Sequence, residues 1–180
     1  WVFAVRSAAE RDPRLREDAI FTPRVGGNPV SRRWTDRGFP SPTKRRFIVP
    51  NEQQCQILLD NLAFYRTKFG FLLHGFVFMA DHVHLLLTVG NKGNISEIMR
   101  DWKHRTGYEL NHVLNQQGDF WQQDFWEHSI RNDLDFAEKL NYIHDNPVRA
   151  GYIQMAEEWQ YSSARWYLGL PSCIGIDPWR

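Results

Sequence analysis

The sequence predicts an α+β domain of the ferredoxin-like or RRM-like kind, with helices packed on one face of an antiparallel sheet. Two short apolar runs, residues 71–79 and 82–89, are separated by a polar break and predict a hairpin of buried strands. Helical periodicity precedes and follows this hairpin, and an alternating segment near residue 128 leads into a third helix. Strand–helix–strand, occurring twice, is the element order of this plan.

The first two helices are predicted from apolar spacing and from their ends. The first covers residues 51–68, and Gly70 ends it. The second covers Ile95–Leu114, because Asn94 and Glu97 have the spacing of a capping box. The polar face of the second helix carries cationic side chains that either contact phosphates or face solvent, namely Arg100, Lys103, His104 and Arg105.

The last strand and helix follow a polar turn. Residues 125–131 alternate in the manner of an edge or final strand. Asn132 with Asp135 then predicts a helix start. Pro147 disfavours helical geometry at Asn146, so this helix is expected to stop there or to kink.

The charge of the chain is unevenly distributed. Residues 1–50 contain 11 Lys and Arg against 5 Asp and Glu, whereas residues 51–180 contain 11 against 16. Such a basic arm suits a phosphate backbone, and a solvated tail is the other interpretation. The candidate DNA contacts in this arm are Arg32, Arg33, Lys44, Arg45 and Arg46.

Three regions are predicted along the chain. Residues 1–30 form a basic, poorly defined segment, residues 31–150 form the domain, and residues 151–180 form an aromatic tail packed on it. Prolines punctuate the first 50 residues, so one short strand around Arg32–Gly38 is all that is predicted there. We expect a cytoplasmic protein that does not enter a membrane, because no apolar run reaches spanning length. Cys55 and Cys173 stand outside any CxxC spacing and are expected to be inert.

The candidate chemistry begins with His82 and His84. Side chains two apart on a strand share a face, so both imidazoles are expected to point the same way. Two neutral imidazoles can hold a divalent ion, but a site needs further ligands. A structural role for such a pair is the competing interpretation.

Tyr142 and Asn146 are four residues apart and share one face of the last helix. If that face lies against the side of the sheet that bears His82 and His84, a hydroxyl, an amide oxygen and two imidazoles meet. An ion held by the two histidines and Asn146 would polarise a phosphate oxygen, and open positions filled by oxygen suit Mg²⁺ or Mn²⁺. A core tyrosine and a simple helix stop are the alternatives.

These residues carry a family resemblance. The run ADHVHLLL resembles the His-hydrophobic-His signature of the HUH single-tyrosine transposases. The run WQQDFWEHSIRNDLDFAEKLNYIHDNPVRAGYI, with the later EEWQYSSARWYL, is similar to the second half of the REP-associated tyrosine transposases, where REP denotes a repetitive extragenic palindrome. The resemblance covers about residues 55–170.

The resemblance implies an HUH endonuclease domain that cleaves and rejoins single-stranded DNA at hairpins. By motif position, His82 and His84 would bind Mg²⁺ or Mn²⁺, Asn146 would be a third ligand, and Tyr142 would form a 5′-phosphotyrosine link. It also implies a bacterial, nucleoid-associated protein and a homodimer as one assembly, because the tyrosine helix of relatives serves its own subunit or a partner's. Further candidate DNA contacts are Arg100, Lys103 and Arg131.

The sequence departs from the family at its front, where the counterpart of the first strand, SRRWTDRGFPSPTKRRF, is short of apolar residues. Two other functions therefore stay open. One is a domesticated protein that binds hairpin DNA without cutting it, and the other is a zinc hydrolase that uses His82, His84 and another histidine. His128 and His144 are further candidates for ligands or acid–base groups.

Overall fold

The computed structural model describes residues 52–122 and 127–179, together with the backbone of residues 2–6. The elements follow the predicted order of strand, helix, two strands, helix, strand and helix, which confirms the α+β class. Their bounds are β1 Val2–Arg6, α1 Glu52–Phe69, β2 Leu72–Phe78, β3 Val83–Val89, α2 Ile95–Val113, β4 Glu127–Ser129, α3 Asp133–Arg149, a 3₁₀ turn Ala156–Glu158 and α4 Ala164–Tyr167.

The four strands form one sheet in the order β2-β3-β1-β4. β2 and β3 are antiparallel, with Phe76 opposite Leu85, as the hairpin prediction requires. β1 runs parallel to both of its neighbours, so the sheet is mixed rather than wholly antiparallel.

The position of the first strand corrects the sequence prediction. β1 is formed by Val2–Arg6, within the segment that was expected to be poorly defined. The run VFAVR suits a central strand, because strands between two others are usually apolar on both faces. The charged residues at 10–18, which follow this run closely, obscure it in the sequence. The expected strand at Arg32–Gly38 lies outside the described residues.

The helices cover both faces of the sheet, which corrects the expectation of helices on one face. Leu85 and Leu87 of β3 pack in one apolar cluster with α1 and α2. Leu86 packs in a second cluster with Phe136 and Leu140 of α3. The physical reason is that β2 and β3 are apolar at nearly every position, so each face needs a covering layer.

The helix ends follow their local sequence. The predicted capping box is present, since Glu97 N donates to Asn94 Oδ1 at 2.9 Å and Asn94 N donates to Glu97 Oε2 at 3.0 Å. The expected stop at Asn146 does not occur, because α3 continues through Pro147 to Arg149.

The C-terminal segment covers the outer edge of β2. Its backbone hydrogen bonds to β2 are Phe78 N to Tyr161 O (3.0 Å), Ser163 N to Phe76 O (2.9 Å) and Asp177 N to Leu73 O (2.8 Å). The Trp179 ring also stacks on Phe136 of α3, with 4.3 Å between centroids. This segment therefore joins the sheet edge to α3 and blocks pairing by another strand.

Two expectations from composition concern cysteines and membranes. Both cysteines are free, and burial raises the pKa of Cys55 to about 12, which keeps this thiol protonated. Across residues 2–6, 52–122 and 127–179, no helix combines the length and the apolar character needed to cross a bilayer.

Candidate active site

His82 and His84 lie side by side at the start of β3. A backbone hydrogen bond from Met79 N to His82 O, 2.8 Å long, closes the turn between the two strands. The two Nε2 atoms are 3.0 Å apart, so the imidazoles share one face, as strand spacing predicts. His84 is fully buried, whereas the His82 side chain is 21% exposed. The pair therefore has one inner and one solvent-facing member.

Asp81 fixes the orientation of His82. Its Oδ1 lies 2.6 Å from His82 Nδ1, so the imidazole donates its Nδ1–H to the carboxylate. The Nε2 atom of His82 then carries a lone pair that points toward His84. A carboxylate on the outer nitrogen of a histidine is the usual arrangement around metal-binding imidazoles, because it sets the tautomer and raises the basicity of the ligand.

Tyr142 of α3 lies on the side of the sheet that the two histidines face. Its ring meets the His84 ring edge to face, with 5.7 Å between centroids. The guanidinium of Arg149 lies 5.4 Å from the centroid of the same tyrosine ring. A cation over an aromatic face is attracted by the ring, so Arg149 helps to fix the position of the tyrosine side chain.

Arg149 is a site residue that sequence reasoning missed. It follows Tyr142 by seven residues, which places both side chains on one face of a helix after two turns. This spacing could have revealed it, but the expected stop at Asn146 ended the helix too early.

Asn146 lies one turn after Tyr142, as expected. Its side-chain Nδ2 donates to the Tyr142 backbone carbonyl at 2.6 Å. This bond leaves the amide oxygen Oδ1 as the atom that could bind a ligand. The tyrosine and the asparagine are thus held together within one turn of α3.

The donor atoms fit a divalent ion only as an open site. In the part of the chain that the structure describes, no three His, Cys, Asp or Glu side chains gather closely enough to hold an ion. The 3.0 Å between the Nε2 atoms of His82 and His84 suits two neighbouring ligands, since ligands about 2.1 Å from one ion at a right angle are about 3 Å apart. Asn146 and the oxygens of water or a phosphate would have to supply the rest.

The two further candidate histidines have partners of their own. His144 Nε2 lies 2.8 Å from the hydroxyl of Ser163, and burial lowers the pKa of His144 to about 4. His128 of β4 lies 3.2 Å from Asp135, at the start of α3. These contacts hold α3 against the C-terminal segment at Ser163 and link it to β4 at His128.

The structure describes three of the candidate DNA contacts. Arg100 and Lys103 belong to α2, on the opposite face of the sheet from α3. Arg131 follows β4 and leads into α3, where its backbone N donates to Asp135. The others lie outside the described residues, namely Arg32, Arg33, Lys44, Arg45 and Arg46.

A four-stranded α+β domain in which a strand presents two histidines to a tyrosine on a helix has the arrangement expected of the single-tyrosine transposases. The family model described as "Transposase IS200 like" matches residues 41–146. This match covers more than half of the chain, and the chain belongs to this family.

Two curated relatives agree with this assignment. The chain is 33% identical over 95 residues, or 47% of its length, to a Haemophilus influenzae protein provisionally described as a REP-associated tyrosine transposase. It is 28% identical over 115 residues, or 61% of its length, to the REP-associated tyrosine transposase of Escherichia coli. The chain spans 54% and 64% of the lengths of these two relatives, so it matches part of each.

A solved structure supports the fold. It is described as a REP-associated tyrosine transposase bound to a REP hairpin, and it superimposes with a TM-score of 0.64 at 22% sequence identity. The match covers 89% of this chain and 81% of the other. At this identity, the likeness establishes the shared α+β fold.

Proposed function

We propose that this protein is a DNA strand transferase that cleaves and rejoins single-stranded DNA at hairpins through a covalent bond to Tyr142. One observation carries the proposal: within a single chain, the Tyr142 ring meets the His84 ring at 5.7 Å. Membership of the IS200-like transposase family supports DNA as the substrate of such a site.

The proposed reaction is a transesterification. The Tyr142 oxygen attacks a phosphodiester phosphorus, a 5′-phosphotyrosine bond forms, and the bond to the 3′ oxygen breaks. The phenol loses one proton and the departing 3′ oxygen gains one, so the exchange is balanced. The phosphodiester energy is kept in the new bond, and a 3′-hydroxyl can reverse the step without another energy source.

The surrounding residues have separate tasks in this proposal. His82, His84 and the Oδ1 atom of Asn146 would hold a divalent ion, with Asp81 fixing the His82 tautomer. Such an ion supplies charge that polarises a phosphate oxygen and offsets the negative charge of the transition state. Open positions filled by water or phosphate oxygens would suit either Mg²⁺ or Mn²⁺. The Arg149 guanidinium over the Tyr142 ring would help to hold that side chain in place.

A hairpin substrate is supported by the relatives rather than by the site itself. Both curated relatives are named after the REP palindrome, and the solved structure is described as bound to a REP hairpin. The basic residues within 1–50 would add affinity for phosphates.

Two competing functions have less support. A protein that binds hairpins without cutting them was suggested by the weak first strand, and β1 at Val2–Arg6 removes that ground. A zinc hydrolase would need a third strong ligand beside His82 and His84, and no such group of His, Cys, Asp or Glu occurs among the described residues.

The proposal is tested with a labelled hairpin oligonucleotide that carries single-stranded flanks, incubated with Mn²⁺ or Mg²⁺. We expect an adduct that survives denaturing electrophoresis and disappears in Tyr142→Phe. Tyr65→Phe is the matched control, because Tyr65 lies on α1 in the apolar cluster on the other face of the sheet. An adduct that persists in Tyr142→Phe would show that Tyr142 is not the nucleophile.

A further inference from the structure

An open groove runs along the outer surface of α2, on the sheet face opposite Tyr142. Its volume is about 410 Å³, within the range of pockets that hold small organic molecules, about 300–1,000 Å³. Residues at four-residue spacing form one wall, and the segment 118–122 forms the other. The helical wall comprises Ser96, Arg100, His104 and Tyr108.

The second wall of the groove is held close to α2. A Cβ atom on Gly107 would come within 3.3 Å of Trp121 Cδ1, so glycine permits the close approach. The Trp121 indole donates to Thr106 Oγ1 at 2.9 Å, and Asn111 Nδ2 donates to Gly118 O at 2.7 Å. The groove is therefore a feature of the packed structure, with Trp121 buried in its floor.

The chemistry of the groove combines an exposed aromatic ring with cations. Tyr108 lines the groove, and the residue is 66% exposed. Arg100 is 71% exposed and bonds to its neighbour Asp101, while Lys103 donates to the Gln122 carbonyl. Among the described residues that line the groove, two cations and His104 face one carboxylate, that of Asp119. Exposed aromatics stack on unpaired bases, and arginine or lysine beside them binds the phosphate.

We propose that this groove binds an unpaired nucleotide of the DNA substrate, with the base stacked on Tyr108 and its phosphate beside Arg100. The identity of the ligand as DNA rests on the proposed function. The groove and Tyr142 lie on opposite faces of the sheet, so the groove cannot hold the phosphate that is cut. It is a positioning site that adds affinity for a strand extending from the hairpin.

The test compares the binding of two hairpin oligonucleotides to the whole chain by fluorescence anisotropy. One hairpin has a single-stranded extension and the other is blunt. Tyr108→Ala is expected to weaken binding of the extended hairpin roughly 5- to 100-fold and to leave the blunt hairpin unchanged. Arg100→Gln is expected to reduce the slope of log affinity against log salt by about 0.7.

Arg105→Gln is the matched control, since Arg105 is on the same helix, bonds to Glu109 and does not line the groove. Thermal unfolding of each variant verifies the fold. Unchanged binding of the extended hairpin by Tyr108→Ala would overturn the inference, as would an equal loss on the blunt hairpin.

The covalent assay separates this inference from the proposed function. With DNA at saturation, Tyr108→Ala is expected to form the Tyr142 adduct at the wild-type rate, because the groove does not contact the cleaved phosphate. A rate loss at saturation would overturn the positioning role. Failure of wild-type protein to form any adduct would instead overturn the proposed function, while the binding comparison would still test the groove.

Discussion

The ring of Tyr142 meets the ring of His84 edge to face, with 5.7 Å between their centroids, where α3 crosses β3. The two residues are 58 positions apart in the sequence. The packing of α3 on the face of the sheet that carries Leu86 brings their side chains together. The contact is made within one chain. It places a phenol beside two imidazoles whose Nε2 atoms are 3.0 Å apart.

The contact within one chain predicts that each protomer uses its own tyrosine. Mixing Tyr142→Phe with His84→Ala should yield no covalent DNA adduct, because neither variant has both parts of the site. The measurement is adduct formation by the equimolar mixture, with each variant alone as the control. Recovery of adduct in the mixture would mean that the helix serves a partner.

Asp81 is expected to control the affinity of the site for metal. Asp81→Ala removes the acceptor for His82 Nδ1–H, and the loss of such an outer partner typically weakens metal binding by about 10- to 100-fold. The Mn²⁺ concentration for half-maximal adduct formation should rise accordingly. Asp60→Ala, an exposed carboxylate on α1, is the control. An unchanged Mn²⁺ requirement would show that Asp81 does not orient a ligand.

Close packing of α3 on β2 predicts that Gly75→Ala lowers the stability of the fold. A Cβ atom there would lie 2.8 Å from Leu140 Cδ1, so Gly75→Ala must displace the Leu140 side chain from its packing against the sheet. We expect a loss of stability of about 1–3 kcal/mol and a slower rate of adduct formation. Gly175→Ala is the matched control, since a Cβ there has no neighbour within 4 Å. Equal urea midpoints for both variants would contradict the packing argument.

Buried histidines predict that stability falls in acid. Burial lowers the pKa of His144 to about 4, below the 6.5 of an exposed histidine, so the unfolded chain binds more protons between these values. Stability is therefore unaffected above pH 6.5 and falls as the pH drops toward 4. The groups facing His144 are Ser163 and Tyr167, and burial raises the pKa of Tyr167 to about 12, so neither is charged there.

The lowered pKa of His144 sets the size of this loss of stability in acid. His144 contributes at most about 3 kcal/mol of pH-dependent stability, and burial also lowers the pKa of His74, which acts in the same direction. Urea unfolding at pH 7 and pH 5 should show a smaller difference for His144→Gln than for wild-type protein. His112→Gln, at an exposed position of α2, should behave as wild type. The same pH difference in His144→Gln would assign the effect to other groups.

The features that could be predicted from sequence are local ones. The capping box of Asn94 and Glu97 and the shared face of His82 and His84 depend on residues a few positions apart. The sequence predicts the contact of Tyr142 with His84 only if α3 covers the face of the sheet that bears the histidines. Local sequence does not determine which face α3 covers, and the structure shows that it covers this one.

The predictions that failed depend on distant pairing. β1 at Val2–Arg6 is a strand because it pairs with β3 and β4 on either side. Its five residues alone do not predict this pairing. β3 is apolar on both faces and needs a covering layer on each, but its sequence does not specify which helix covers which face. Arg149 was missed because α3 continues through Pro147 against the local preference of the residue before proline.

The central claim is that Tyr142 becomes covalently joined to DNA, and mass spectrometry of the digested adduct tests it most directly. The account predicts that the nucleotide mass is found on the peptide containing Tyr142, linked through a 5′-phosphate. It also predicts that this mass is lost in His84→Ala. A nucleotide attached to any other residue, or one that remains in His84→Ala at the wild-type level, would contradict the account.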